Sequence, residues 1–123
     1  MTIKLLDSSV WIAYFIESNQ KAIQLINSSE ALLTSAVSLF EVKRKLINHG
    51  VPQEKLKISL EFIKQRSMVT DVNGELCEKA ADVSLKYNLK SIDSIIYTSS
   101  QTNNATLVTC DSDFKNLPNV ELL

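Results

Sequence analysis

The sequence predicts an α/β fold, a three-layer α/β/α arrangement around a central, mainly parallel sheet of about five strands. Three observations carry this expectation. Short apolar runs bounded by polar residues alternate with longer stretches of helical periodicity along the chain. No internal repeat, low-complexity run or Pro/Gly-rich linker interrupts the alternation, so residues 1–123 read as one domain. With 45% hydrophobic residues and a net charge of −1 over 123 residues, the chain can bury a core without disulfide or metal staples.

The elements follow in order. Residues 3–6 read as an apolar strand, and Asp7-Ser8-Ser9 leads into a buried helix over residues 10–16. Apolar positions 22, 23, 25 and 26 suit a short helix over residues 20–27. Residues 31–35 form a strand ending on the hydroxyls of Thr34 and Ser35. A helix over residues 37–49 follows, with Gly50 at its C-terminal cap. At about 100° per residue its apolar arc comprises Leu39, Phe40, Val42, Leu46 and Ile47, and Glu41 falls opposite, near Arg44, Lys45 and Asn48. Pro52 opens a helix to about Arg66, with Leu56, Ile58, Leu60, Phe62 and Ile63 as its apolar set. Residues 68–72 read as a strand. Asn73 caps a helix ending near Asn88, and Ser91 caps another that carries Ile92, Ile95 and Ile96. Residues 105–110 are the clearest strand, residues 111–115 turn, and residues 120–123 close as a strand.

Composition excludes several chemistries. His49 is the single histidine, so a zinc site built on two or three histidines is excluded. A Ser-His-Asp triad would need His49, and no nucleophile motif accompanies it. Gly50 and Gly74 are the only glycines, which removes the Walker loop and the dinucleotide fingerprint. Cys77 and Cys110 lie far apart without CxxC spacing, so the expectation is a reducing, cytoplasmic location. The longest uncharged stretch, residues 94–110, is filled with Ser, Thr, Asn and Gln in its second half, so no membrane span is expected. Asp7 falls where the apolar core of a secretory signal would lie.

What remains in quantity is carboxylate. Asp7 and Asp111 each directly follow an apolar strand, and in parallel sheets the functional crevice lies beyond the carboxyl ends of the strands. Singly, each has an ordinary explanation. Asp7 and Asp111 suit helix N-caps, and Asp113 suits a turn. Glu41 can pair with Lys45 at i+4 for ~0.3–0.5 kcal/mol. Asp93 sits in a first helical turn, where the dipole favours it. Together they point elsewhere. A parallel sheet can bring Asp7, Glu41, Asp93 and Asp111 to one place, where they would raise one another's pKa unless a cation neutralised them. All-oxygen ligation without histidine suits Mg²⁺ or Mn²⁺. Such an ion can activate a water, and a phosphodiester is its natural substrate.

Charge distribution agrees. Of 14 acids and 13 bases, Asp7, Glu41, Asp93, Asp111 and neighbouring Asp113 are assigned to this candidate site; the remaining 9 acids leave the rest of the chain at +4, as a polyanion would require. Lys43, Arg44 and Lys45 share the Glu41 helix and are candidate contacts for a polyanion; Lys55, Lys57, Lys64 and Arg66 follow on the next helix. Solvated helix faces are the plainer reading of both groups.

These residues resemble the PIN-domain family, in particular its VapC-type toxin ribonucleases. Leu5-Leu6-Asp7-Ser8-Ser9-Val10-Trp11 resembles the family's opening motif. Thr34-Ser35 followed by Phe40-Glu41-Val42 resembles the second, and Ser91-Ile92-Asp93-Ser94-Ile95-Ile96 the third. Leu107-Val108-Thr109-Cys110-Asp111-Ser112-Asp113-Phe114 resembles the closing motif and is the most specific. The resemblance covers essentially the whole chain with all motifs in order. It implies the α/β/α sandwich, a Mg²⁺- or Mn²⁺-dependent endoribonuclease, a homodimer and a small antitoxin that occludes the site. By matched position it implies that Asp7, Glu41, Asp93 and Asp111 bind metal. It implies that Asp113 ligates or positions a water, and that the Ser8 and Thr109 hydroxyls hold ligands in place. The implied mechanism is one or two ions bridged by Asp7, with water attacking in line and leaving 5′-phosphate and 3′-hydroxyl ends. Two departures stand out. Tyr97-Thr98-Ser99-Ser100 is bulkier and more polar than the family's small residues, which bears on helix packing and dimer geometry. Ser94 stands where a second acid sometimes occurs.

Trp11, Tyr14 and Phe15 read most simply as core, with a groove for an antitoxin or second subunit as the alternative. Three other functions compete. A phosphoacceptor receiver domain needs an acid pair after the first strand and a late lysine, and this sequence has neither there. A non-catalytic RNA-binding or assembly protein on the same fold would not need all four acids. A PIN nuclease that processes RNA without an antitoxin differs from a toxin mainly in genomic company.

Overall fold

Each strand is only three or four residues long, and helices carry the chain back between most of them. The computed structural model describes residues 2–123. The order is β1 (Lys4–Leu6), α1 (Ser8–Phe15), α2 (Gln20–Ile26), β2 (Leu32–Ser35), α3 (Ala36–Asn48), α4 (Gln53–Arg66), β3 (Met68–Thr70), α5 (Gly74–Tyr87), α6 (Ser91–Thr102), β4 (Thr106–Thr109) and β5 (Val120–Leu122). A short 3₁₀ turn, Ser112–Phe114, bridges β4 and β5. The strands form one five-stranded sheet in the order β3-β2-β1-β4-β5, and every neighbouring pair is parallel. Strand order reverses between β1 and β4, which opens a crevice beyond their carboxyl ends.

Alternation along the central strands divides the core in two. Leu6, Leu32 and Val108 face a layer that includes Val10, Trp11, Val42, Leu46 and Ile63. Leu5, Leu33 and Leu107 face the other way, against Leu89, Ile96, Tyr97 and Phe114. Helices on both faces make three layers, as the sequence predicts. Fully burying each large apolar side chain contributes about 1.5–3 kcal/mol. Trp11 also carries a polar anchor: its indole N–H donates to Thr34 Oγ1 at 3.1 Å, and Thr34 in turn meets Ser67 Oγ at 2.8 Å. Trp11 is therefore core, while Tyr14 and Phe15 are half-buried against Phe62.

The helix boundaries have local causes. Asn19 and Asn73 accept from the N–H groups of Ala22 and Leu76, at 3.1 and 2.9 Å. Gly50, at φ +87, follows the last turn of α3 and lets Val51 N–H reach back to Leu46 O at 3.0 Å. Asn88 ends α5 in the left-handed conformation. One expected cap is corrected. Ser91 lies inside α6, Lys90 takes the capping position without a side-chain bond, and the Ser91 carbonyl accepts from Ser94 Oγ at 2.7 Å.

Three expected core positions also prove exposed: Phe40 at 60%, Ile47 at 52% and Ile58 at 68%. The apolar arcs of α3 and α4 are wider than the seams that pack. Val42 and Leu46 fill the seam of α3, and Leu56 and Ile63 that of α4. In α6 the polar run Tyr97-Thr98-Ser99-Ser100 is fully buried. Three of the four are satisfied: the hydroxyls of Ser99 and Ser100 donate to carbonyls of their own helix, and Tyr97 Oη donates to Pro118 O at 2.7 Å, whereas Thr98 Oγ1 has no hydrogen-bond partner among the described residues.

Candidate active site

Asp7 is the first residue after β1, and its backbone N–H still pairs with Val108 O of β4 at 2.9 Å. The sheet thus holds its side chain at the reversal point, where it is only 3% exposed. Asp7 stands at the N-cap position of α1, yet its carboxylate makes no capping bond. Instead Oδ2 accepts from Ser9 Oγ at 2.7 Å and from Thr109 Oγ1 at 2.8 Å. Those hydroxyls are held in turn: Ser9 Oγ accepts from Cys110 N–H and Thr109 Oγ1 from Asp111 N–H, at 2.9 and 3.0 Å. Two strand ends are thereby locked around one carboxylate. Burial pushes Asp7 above the usual aspartate range, the hydrogen bonds from Ser9, Thr109 and Ser8 pull it back, and the Asp111 charge adds to the rise.

Glu41 lies in the second turn of α3 and faces the same crevice. Ser8 Oγ donates to its Oε1 at 2.8 Å, and reaches Asp7 Oδ1 only at 3.5 Å. The expected role of Ser8 and Thr109 as hydroxyl supports is thus divided, with Thr109 on Asp7 and Ser8 chiefly on Glu41. Ser9, which sequence pattern does not single out, does as much for Asp7 as Thr109. The one signal for it is its place two residues after a strand-ending acid, where the first turn of a helix folds back. Among the described residues Glu41 makes no ion pair with Lys45. Its pKa is raised by burial and by Asp7, and lowered by Ser8.

Asp93, in the first turn of α6, has its pKa pushed up to about 6. Burial is the largest cause, followed by the charges of Asp7, Asp111, Glu41 and Asp113. Asp111 caps the 3₁₀ turn, its Oδ1 accepting from Asp113 N–H at 2.9 Å. Asp93, Asp111 and Asp113 each bring one carboxylate oxygen to within 4.8 Å of the others. Asp113 is therefore a full member of the tightest acidic group.

A cavity of about 560 Å³ opens over these residues. Asp7, Ser8, Ser9, Glu41, Asp93 and Asp111 line it, and α3 adds Phe40, Arg44, Lys45 and Asn48. Helical phase puts Glu41, Arg44, Lys45 and Asn48 on one face, and that face is the cavity wall. Lys43 is exposed on α3 and lies outside the lining. Arg66 serves structure rather than a basic surface: its guanidinium donates to the carbonyls of Ile26, Ser28 and Glu30, closing the turn between α2 and β2.

The donor set is all oxygen. Glu41 and Asp111 each hold one carboxylate oxygen in a bond from the protein and have a second oxygen for a ligand. Mutual repulsion of this kind, in a half-buried cleft without histidine or a cysteine pair, suits a hard divalent cation.

The site's setting has parallels. A family model described as PIN domain matches residues 4–120. The fold is similar to that of a chain in a toxin–antitoxin complex from Klebsiella pneumoniae, with a TM-score of 0.80, 20% identity and coverage of 96% of this chain and 95% of that one. It is similar to a chain of VapBC2 from Rickettsia felis bound to a promoter DNA fragment, at TM-score 0.77 and 18% identity, over 99% and 98% of the two chains. It is also similar to VapC20 from Mycobacterium tuberculosis, described as a Sarcin-Ricin loop cleaving toxin, at TM-score 0.78 and 18% identity, over 97% and 98%. No curated relative matches the sequence. The family match omits only a few residues at either end, and the chain belongs to the PIN domain family.

Proposed function

We propose that the chain is a Mg²⁺- or Mn²⁺-dependent endoribonuclease and the toxin of a toxin–antitoxin pair. One observation carries the nuclease reading: Asp93, Asp111 and Asp113 bring carboxylate oxygens within 4.8 Å of one another, and Asp93 and Asp111 line one crevice with Asp7 and Glu41. Asp93, Asp111 and Asp113 would hold the cation, with Asp7 and Glu41 as further oxygen donors. Bound there, the cation supplies charge neutralisation at the phosphodiester and a water acidified towards neutral pH.

The chain's own residues do the positioning. Ser9 and Thr109 keep Asp7 in one orientation, so its carboxylate need not reorganise when a ligand arrives. Ser8 does the same for Glu41. Arg44 and Lys45, on the same wall, offset the acids for an approaching polyanion. Residues 1–123 act as one nuclease unit in this reading.

The toxin reading rests on the company the fold keeps: the similar chains come from toxin–antitoxin assemblies and an RNA-cleaving toxin. We infer an antitoxin and a second copy of the chain as its protein partners, and the cytoplasm as its location. Among the described residues no helix is long and apolar enough to cross a membrane.

The test is cleavage of a mixed, structured RNA with Mg²⁺ or Mn²⁺, against EDTA and Asp7→Asn controls. Cutting lost in both controls is the expected result. Absence of cutting together with absence of metal binding by calorimetry would overturn the nuclease reading. A small neighbouring reading frame whose product suppresses cleavage is expected for the toxin; without one, an RNA-processing nuclease is the better description.

A further inference from the structure

Phe40 is the aromatic residue in the cavity wall, and it is 60% exposed. Exposure alone decides nothing, since single apolar side chains are common on surfaces. Its placement does. Ile47 and Ile58 are similarly exposed but do not line the cavity, whereas Phe40 shares the wall with Glu41, Arg44 and Lys45. Arg44 lies at i+4 from Phe40, on the neighbouring turn of the same helical face. Among the described residues neither Arg44 nor Lys45 is engaged in an ion pair. An exposed aromatic ring on the same cavity wall as cations without ion-pair partners, next to a carboxylate cluster, combines the two parts of a single-strand binding surface: a stacking platform and a phosphate contact.

Resting on the nuclease reading above, we propose that Phe40 stacks an unpaired base flanking the scissile phosphate while Arg44 contacts the phosphate on the same side. A phenyl ring has no hydrogen-bonding atom, so the platform accepts any base and selects for strand state rather than sequence. Bases inside an A-form duplex present no open face, and Phe40 therefore favours single-stranded segments.

The test measures affinity at fixed salt, with Ca²⁺ in place of Mg²⁺ as an oxygen-seeking ion. The probes are a mixed-sequence RNA of about 12 nucleotides, within the usual single-strand site sizes, and the same strand annealed to its complement. Phe40→Leu keeps apolar bulk and removes the ring. It is expected to weaken single-strand binding about 5- to 100-fold and to leave duplex binding unchanged. Phe40→Trp is expected to retain single-strand affinity, with its added indole emission quenched on binding. The native indole of Trp11 is fully buried and reports separately. Equal losses on both RNA forms, or no loss on either, overturn the proposal. So does a change in sedimentation behaviour of Phe40→Leu with RNA affinity intact, which would assign the ring to a protein contact. If the unaltered chain binds neither RNA, the nuclease reading falls and takes this inference with it. If it binds and Phe40→Leu is silent, only the inference falls.

Discussion

The two ends of β1 handle charge in opposite ways. At its start, Lys4 Nζ lies 3.1 Å from Glu30 and 3.3 Å from Glu121, so one cation is shared by two acids. Three residues later, Asp7 is buried among other carboxylates. Desolvation lowers the Lys4 pKa, but Glu30 and Glu121 outweigh it and the net shift is upward, reinforcing the charge. At the other end the Asp7, Glu41 and Asp93 carboxyls are pushed upward too, and there the shift opposes the charge. One end is electrostatically satisfied by the fold. At the other, Asp7, Glu41 and Asp93 form no ion pair among the described residues, and in the proposed reading a cation would supply the missing charge. Binding sites are where such stored repulsion is useful.

The largest expected effect is that of Asp7→Asn. Cleavage should fall about 10³-fold or more, because the ion's contribution to the transition state is worth several kcal/mol. Metal-free thermal stability should hold or rise, since a buried unfavourable charge disappears. A stability loss above ~2 kcal/mol would instead mark Asp7 as a structural cap and erase the contrast between the ends.

Thr109→Val comes next. It keeps the shape and removes a hydroxyl that serves both Asp7 and Asp111 N–H. Cleavage should fall about 10- to 100-fold, as for other residues that orient a metal ligand. Unfolding should cost about 1–3 kcal/mol less, which chemical denaturation reads directly.

The pH dependence separates the ends without mutation. An acid whose folded pKa is raised contributes stability at low pH and loses that contribution as pH climbs through the folded value. For Asp93 that value is about 6. In EDTA the protein should therefore melt higher at about pH 5 than at about pH 7.5, by roughly 3–6 °C if about 1 kcal/mol survives solvent screening of this half-exposed group. Mn²⁺ should cancel the trend. Lys4, also raised, contributes in the same sense but in a different window, and its contribution is lost only in alkali. A metal-free melting temperature that is flat or falls on acidification would contradict the repulsion argument.

The smallest effect is expected at the satisfied end. Lys4→Met should cost about 1 kcal/mol or less, measured by denaturation, and leave cleavage unchanged. A loss of activity there would show that the two ends are coupled through β1.

Much of the site is legible in local sequence pattern. Asp7 and Asp111 are legible because each ends an apolar strand, and the crevice of a parallel sheet lies beyond strand ends. Glu41 is legible by helical phase, which puts it with Arg44, Lys45 and Asn48. Other features are not. Ser9 and Ser8 are adjacent hydroxyls, and nothing local says that one serves Asp7 and the other Glu41, 33 positions away. Arg66 reads as a surface cation, yet three carbonyls from a distant turn capture it. Phe40, Ile47 and Ile58 belong to apolar arcs by phase, but phase does not say how much of an arc a neighbour covers.

The sequence by itself determined the class of fold, the order of its elements, the exclusion of a metal site built on several histidines, and the acids at the strand ends. These follow from local patterns of polarity, and such patterns act over a few residues. The tertiary structure alone decided that Asp7 is buried and held by Thr109, that Ser8 serves Glu41, and that Phe40 faces the cavity. Those facts depend on strand order and helix crossing, which bring together residues some 20 to 100 positions apart, a scale on which local periodicity carries no information.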